Sequence, residues 1–334
     1  MSAAPLPRGE RPPAVAALRA RLARERTALQ AAYAARPEAA RFLLLHRRLV
    51  DAVLREAWTA CAMPRSAALV AVGGFGRGEL FPHSDVDILI LIPLTPDGHL
   101  AGSVEAFVGQ LWDIGLEIGH SVRTVEQCRE EWVKDVTVQT ALMESRLITG
   151  SRGLFRTLQR AVRESFDARV FFKAKRLEQD QRHAKYQDSP YNLEPNLKES
   201  PGGLRDLQIV LWVSRASGLG DDWRELAAGG HVTREEARQL KRHIGFLQDI
   251  RIRLHFLTGR REDRILFDYQ NALAESFGYA PTSVKRASEI FMQRYYRTAK
   301  AITQLNTILL QNLGAAIFPN DGSPPQPLNE RFQV

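Results

Sequence analysis

Apolar residues recur at helical spacing through residues 13–62, among many alanines, leucines and arginines, and Pro37 divides the stretch into two predicted helices. The period then changes. SAALVAVGG (Ser66–Gly74), DVDILILI (Asp85–Ile92) and LEIGHSVRT (Leu116–Thr124) read as three short strands, with a helical pattern, VEAFVGQLWDIG, between the last two. From Val125 onward the pattern is overwhelmingly helical, with long amphipathic stretches at Arg234–Leu257 and Ser283–Leu313. One section, DSPYNLEPNLKESPGGLRDLQ (Asp188–Gln208), interrupts it, because its prolines and glycines forbid a continuous helix until about Leu204. The expected fold class is α+β. A helical lead-in (1–62) precedes a small mixed-sheet domain (63–150), then a helical bundle domain (151–315), and 316–334 has the composition of a linker or interrupted chain end.

At 334 residues and 44% hydrophobic content the chain can bury a substantial core. No apolar run approaches the roughly 20 residues that a membrane span requires, and the N-terminus lacks an apolar segment followed by a cleavage site. A cytoplasmic location without a membrane partner is the expectation. Cys61 and Cys128 stand far apart without CxxC or Cys/His spacing, which points to neither a disulfide framework nor a structural zinc site. The net charge of +8 favours phosphates, nucleotides or acidic proteins as partners. No aromatic-basic module accompanies it, so nucleic acid is not expected.

The candidate chemistry lies in GGFGRGELFPHSDVDILIL (Gly73–Leu91). Its glycines fit no GxGxxG register, since residues 75 and 79 are Phe and Glu, and no Lys-Ser or Lys-Thr pair follows to make a P-loop. What they permit is close approach of backbone amides to an anion, or simply a tight turn. Asp85 and Asp87 stand two apart at the start of an apolar strand, so their carboxylates project from one face and repel unless a cation bridges them. Mg²⁺ suits such a pair, because it is commonly held by one or two carboxylates together with substrate phosphates. A solvated strand end is the alternative for an isolated Asp-x-Asp.

The spacing Gly73-Gly74, ten residues, Asp85-Val86-Asp87, with Ser84 before the pair, resembles the DNA polymerase beta-like nucleotidyltransferase superfamily. Within it, this stretch together with LWDIGLEIGHSVRT (Leu111–Thr124) and NLKESPGGLRDLQIVLW (Asn196–Trp212) resembles the bifunctional PII uridylyltransferase/uridylyl-removing enzymes of bacterial nitrogen regulation, over roughly residues 40–334. Members of that family continue into a metal-dependent phosphohydrolase domain with a His-Asp motif and into ACT sensing domains. This sequence ends at Val334 and none of its eight histidines is followed by Asp. The resemblance therefore covers the transferase part alone, as a truncated form or a free-standing relative, and uridylyl removal and glutamine sensing are expected to be missing.

The resemblance implies transfer of UMP from UTP to a tyrosine of the PII protein with release of pyrophosphate, by a two-metal mechanism using Mg²⁺ or Mn²⁺ at Asp85 and Asp87. It implies phosphate contacts from the amides of Gly73 and Gly74 and from Ser84. It also implies a third carboxylate from a later strand that binds the catalytic metal or assists in proton removal, for which Glu117 is the candidate, since it would share a strand face with the small residues Gly119 and Ser121. Asp113 is the fallback, and His120 is either a substrate contact or a structural residue. Arg77 lies near enough to the glycine turn to reach phosphate, or pairs with Glu79. Lys198 and Arg205, flanking Pro201-Gly202-Gly203, contact nucleotide or form the salt-bridged ends of a helix. Two other readings stay open: a nucleotidyltransferase with another acceptor, and a non-catalytic module that binds PII or nucleotide.

Overall fold

The computed structural model of the chain describes residues 13–95, 99–186, 189–319, 327–329 and 332–333. Helices α1 (Pro13–Ala35) and α2 (Ala39–Ala60) open it, separated where Pro37 stops the first. Leu49, Val50, Val53, Leu54 and Ala57 recur along α2 at helical spacing and are all buried. They form one core cluster with Leu18 and Leu22 of α1 and with strand residues.

Four strands make a mixed sheet: β1 (Ala68–Ala71), β2 (Val86–Leu91), β3 (Ile118–Arg123) and β4 (Arg146–Gly150), in the order β3-β2-β1-β4. A five-residue helix, α3 (Gly73–Arg77), follows β1, which runs antiparallel to both β2 and β4. Strands β2 and β3 are parallel, as the crossover through α4 (Leu100–Ile114) allows. Alternation along β2 sends Val86, Ile88 and Ile90 into the core cluster and turns Asp87 to the opposite face. The fold is thus the expected α+β with a small mixed sheet.

Strand β4 falls where the sequence reads as helical. It follows α5 (Val125–Lys134) and α6 (Val136–Met143) and precedes α7 (Arg152–Glu164). RLITG is too short to establish a period of two. Its strand state comes from pairing with β1, and Arg146 anchors it by donating to both carboxylate oxygens of Asp51 on α2, at 2.8 and 3.0 Å.

The chain forms two compact units, residues up to Ser165 with Gly245–Asp263, and Phe166–Ile244 with Arg264 onward. The second unit contains α8 (Ala168–Lys185), α9 (Leu204–Ala216), α10 (Trp223–Ala228), α12 (Phe267–Ser276) and α13 (Ala287–Ile317); α11 (Arg234–Thr258) contributes to both units. Short strands β5 (Pro327–Asn329) and β6 (Phe332–Gln333) pair near the end. Of the stretch read as a linker or chain end, residues 320–326, 330, 331 and 334 lie outside the described residues.

A fully buried carboxylate organises the second unit. Asp206 accepts from the amide of Gly202 at 2.7 Å, faces His183 Nε2 at 2.9 Å, and pairs with Arg182, while its carbonyl accepts from Asn306 of α13 at 2.7 Å. Gly202 has φ +79°, and a Cβ there would collide with the backbone carbonyl of Ala299. The Pro-Gly-Gly turn is therefore a packing device, a backbone-to-backbone approach of turn and α13 that no side chain permits.

Candidate active site

Asp87 is the second residue of β2 and pairs in register with Gly119 of β3. A Cβ on Gly119 would lie 2.5 Å from Asp87 Oδ1, and one on Gly73 would lie 3.7 Å from Asp87 Oδ2. The carboxylate of Asp87 is thus cradled between two positions that carry no side chain. Gly73 has φ +56° and opens α3, so its backbone turns at the carboxylate in a conformation that L side chains rarely adopt. The amides of the first turn of a helix have no intrahelical acceptor, and Gly73 and Gly74 supply the first two of α3.

Gly76 serves a different end. A Cβ there would strike the carbonyl of Glu144, so α3 lies directly against the residue that follows α6. Arg77 takes the structural of its two expected roles. Its Nε donates to Glu79 Oε2 at 2.8 Å and its guanidinium also pairs with the buried Glu144. Burial works against the charge of Arg77, but Glu79 and Glu144 outweigh it and raise the pKa above that of a free guanidinium. Arg77 therefore braces α3; its donors are turned to these carboxylates.

Asp85 immediately precedes β2 and is half-exposed, and Arg261 forms an ion pair with its Oδ2. The backbone around Arg261 is anchored. Asp263 accepts two hydrogen bonds from Arg251, at 2.5 and 3.1 Å, and lies 3.4 Å from His255 Nε2. His255 Nδ1 in turn accepts from the backbone N–H of His83 at 3.2 Å. Burial disfavours the charge on Asp263, yet His255 and Arg251 hold its pKa well below the ordinary carboxylate range. This chain of contacts ties the Pro82-His83-Ser84 turn, which delivers Asp85, to the Gly245–Asp263 segment of the same unit.

Glu117 directly precedes β3, and its carbonyl accepts from the amide of Val86 at 2.8 Å. Its side chain is exposed. His83 is held below the usual histidine range by burial and by Arg26, with Glu117 acting the other way. No group of three or more His, Cys, Asp or Glu side chains suited to a metal ion occurs among the described residues. Asp113 and His120 are exposed, the latter edge-on to Trp112. Ser84 is half-buried, its amide bonded to the Phe81 carbonyl at 3.2 Å.

Lys198 and Arg205 belong to the second unit, where both pair with Glu199, at 3.5 and 3.2 Å. Arg205 also donates to Gln208 at 3.0 Å and lies over the Trp212 ring. Of their two expected roles, the salt-bridged helix end is the one present here.

Two hard-oxygen carboxylates at the start of β2, Asp85 just before it and Asp87 within it between two glycines, fit a divalent cation that draws its remaining ligands from a nucleotide. The comparisons agree with this chemistry. A family model described as "Nucleotidyltransferase domain" matches residues 54–143, and one described as "GlnD PII-uridylyltransferase" matches residues 170–310. A bifunctional uridylyltransferase/uridylyl-removing enzyme of Aromatoleum aromaticum is 54% identical over 321 residues, covering 96% of this chain and 37% of that protein. This chain belongs to the PII-uridylyltransferase family. Other family members of the same description include one from Cupriavidus metallidurans, 55% identical over 86% of this chain and 33% of its own length. One from Burkholderia mallei is 60% identical over 81% of this chain and 32% of its own length. The chain thus spans about a third of the length of the family members it matches.

Gly119 reads from the sequence only as a small neighbour of Glu117, not as a wall of the Asp87 cradle, and neither Arg261 nor the His255–Asp263 support is foreseen. Gly119 stood in plain view as a glycine inside a strand, the signal of a close approach. Arg261 belongs to GRREDR, which reads as a solvated charge run after a helix. No helix among the described residues is long and apolar enough to cross a membrane.

Proposed function

We propose that the chain transfers UMP from UTP to a tyrosine hydroxyl of a PII protein. The observation that carries the proposal is the Asp87 carboxylate held between Gly73 and Gly119, with Asp85 two residues earlier, just before β2. The names of the relatives supply the uridylyl group, and the description of the matching family model supplies the PII acceptor. The bond formed joins the tyrosine oxygen to the α-phosphorus, the bond broken joins that phosphorus to the β-phosphate oxygen, and the hydroxyl proton leaves.

Asp85 and Asp87 would hold Mg²⁺ or Mn²⁺, which when bound supplies charge neutralisation on the phosphates and eases loss of the hydroxyl proton. The residues of the chain do the rest. The cradle fixes the Asp87 carboxylate in one position, and the Gly73 and Gly74 amides and the Ser84 hydroxyl donate to phosphate oxygens. Glu117, exposed and directly before β3, is assigned the accepting of the tyrosine proton. Arg77, Lys198 and Arg205 are assigned positioning through their carboxylate partners.

The test is incubation with α-labelled UTP, a divalent cation and PII protein, followed by localisation of the label. Label on a PII tyrosine that Asp87→Asn abolishes supports the proposal. Label appearing only from another nucleotide or only on another acceptor would overturn it, as would UTP and PII binding without any transfer.

A further inference from the structure

Arg261 contacts the candidate site from outside its motif. It reaches Asp85 from 176 positions away in sequence, within the same unit. The contact is half-exposed on both sides, and an exposed pair of this kind contributes little stability. Yet the backbone that presents it is fixed with some care. Two positions later, Asp263 is bound by Arg251 and His255, and two positions earlier, Gly259 closes α11 with its amide on the His255 carbonyl at 3.0 Å. Arg260 and Glu262, on either side, pair with one another at 2.9 Å, which leaves Arg261 as the guanidinium directed to the carboxylate.

We propose that Arg261 is a nucleotide-phosphate ligand that occupies Asp85 only while no cation is bound there. This rests on the nucleotidyl-transfer reading of the site. Asp85 stands two residues before Asp87, and Arg261 provides the positive charge beside Asp85 in the free protein. A divalent cation on Asp85 takes over that neutralisation and competes for Oδ2. The guanidinium, still tethered by the Asp263 anchor, is then next to the triphosphate that arrives with the cation. A planar guanidinium with several fixed donors suits phosphate oxygens better than any other side chain. Its departure from Asp85 and its arrival on phosphate are one exchange, so the free site keeps no net repulsion and the loaded site keeps no unpaired arginine.

The experiment measures Mn²⁺ binding by electron paramagnetic resonance without nucleotide, and binding of UTP with Mg²⁺ by calorimetry, in the wild-type chain and in Arg261→Ala, Arg261→Lys and the neighbouring control Arg260→Ala. Arg261→Ala is expected to bind Mn²⁺ more tightly, because the competitor is gone, and to bind UTP about tenfold or more weakly, the loss expected for one charge-assisted contact. Arg261→Lys should fall between, and Arg260→Ala should match wild type in both. Unchanged Mn²⁺ affinity in Arg261→Ala overturns the proposal, as does unchanged UTP affinity, or an equal effect from Arg260→Ala. A wild-type chain that binds Mn²⁺ but no nucleotide overturns the nucleotidyl-transfer reading and this inference together, whereas tight UTP binding indifferent to Arg261 overturns this inference alone.

Discussion

Gly119 is the register partner of Asp87, and a Cβ added to it would come within 2.5 Å of Asp87 Oδ1. The clash is with the end of a side chain, not with backbone, so the protein can relieve it by turning the carboxylate away. Gly119→Ala is therefore expected to fold with a thermal midpoint near that of wild type and to lose transfer activity by about 100-fold or more, as misplacement by about 1 Å does in a positioned site. Steady-state kinetics beside a melting curve checks both halves. Full activity in Gly119→Ala would show that the cradle is not what positions Asp87.

Arg77 tests whether the charge beside the glycine turn serves the fold or the nucleotide. Arg77→Met leaves Glu144, only 4% exposed, without its principal cation. The expected cost is about 3–5 kcal/mol, as for other buried pairs broken from one side. Arg77→Met combined with Glu144→Leu should recover much of it. Chemical denaturation of the single and double variants measures this; a stable Arg77→Met that has lost only UTP affinity would return Arg77 to the substrate.

Gly202 separates strain from space. Gly202→Ala would force φ +79° on a residue with a Cβ and drive that Cβ into the Ala299 carbonyl. Gly218, at φ +68° with nothing within 4 Å, carries the backbone strain alone. The expectation is about 1 kcal/mol for Gly218→Ala and more than about 3 kcal/mol for Gly202→Ala, read from urea midpoints.

The pH dependence of stability should report His46. Its Nε2 lies 3.3 Å from Arg26 Nε and its Nδ1 3.0 Å from the Leu80 carbonyl, which fixes the neutral tautomer with the proton on Nδ1. Burial first, and the charge of Arg26 second, lower its pKa to about 4. The unfolded chain therefore binds the proton that the folded chain refuses. Stability is whole above the unfolded value of about 6.5 and falls as pH drops towards 4, by about 2 kcal/mol between pH 7 and pH 5. His255, held low chiefly by burial, acts in the same direction. Urea denaturation at the two pH values should show this loss, and His46→Gln should show less of it.

The elements with a long or clean period were legible in the sequence. DVDILILI announced β2, and Pro37 announced the break between α1 and α2. What escaped was settled by partners remote in sequence. RLITG becomes β4 because β1 offers an edge to it. Arg205 and Lys198 turn to Glu199, and Arg77 to Glu144, where sequence alone left phosphate an equal claim. Arg261 is the clearest case, since nothing local in GRREDR distinguishes the arginine that meets Asp85 from the one that meets Glu262.

The first unit is not continuous along the chain: Gly245–Asp263 returns to it after some eighty residues of the second. During synthesis, then, the turn that carries Asp85 must wait for the His255 side chain until the ribosome has produced the intervening helices. A domain excised at Ser165 would retain the Asp-x-Asp motif and the whole sheet while lacking His255, Asp263 and Arg261. The Asp-x-Asp motif and the unit that supports it thus have different boundaries, and dissection by sequence motif would cut through the candidate site it meant to isolate.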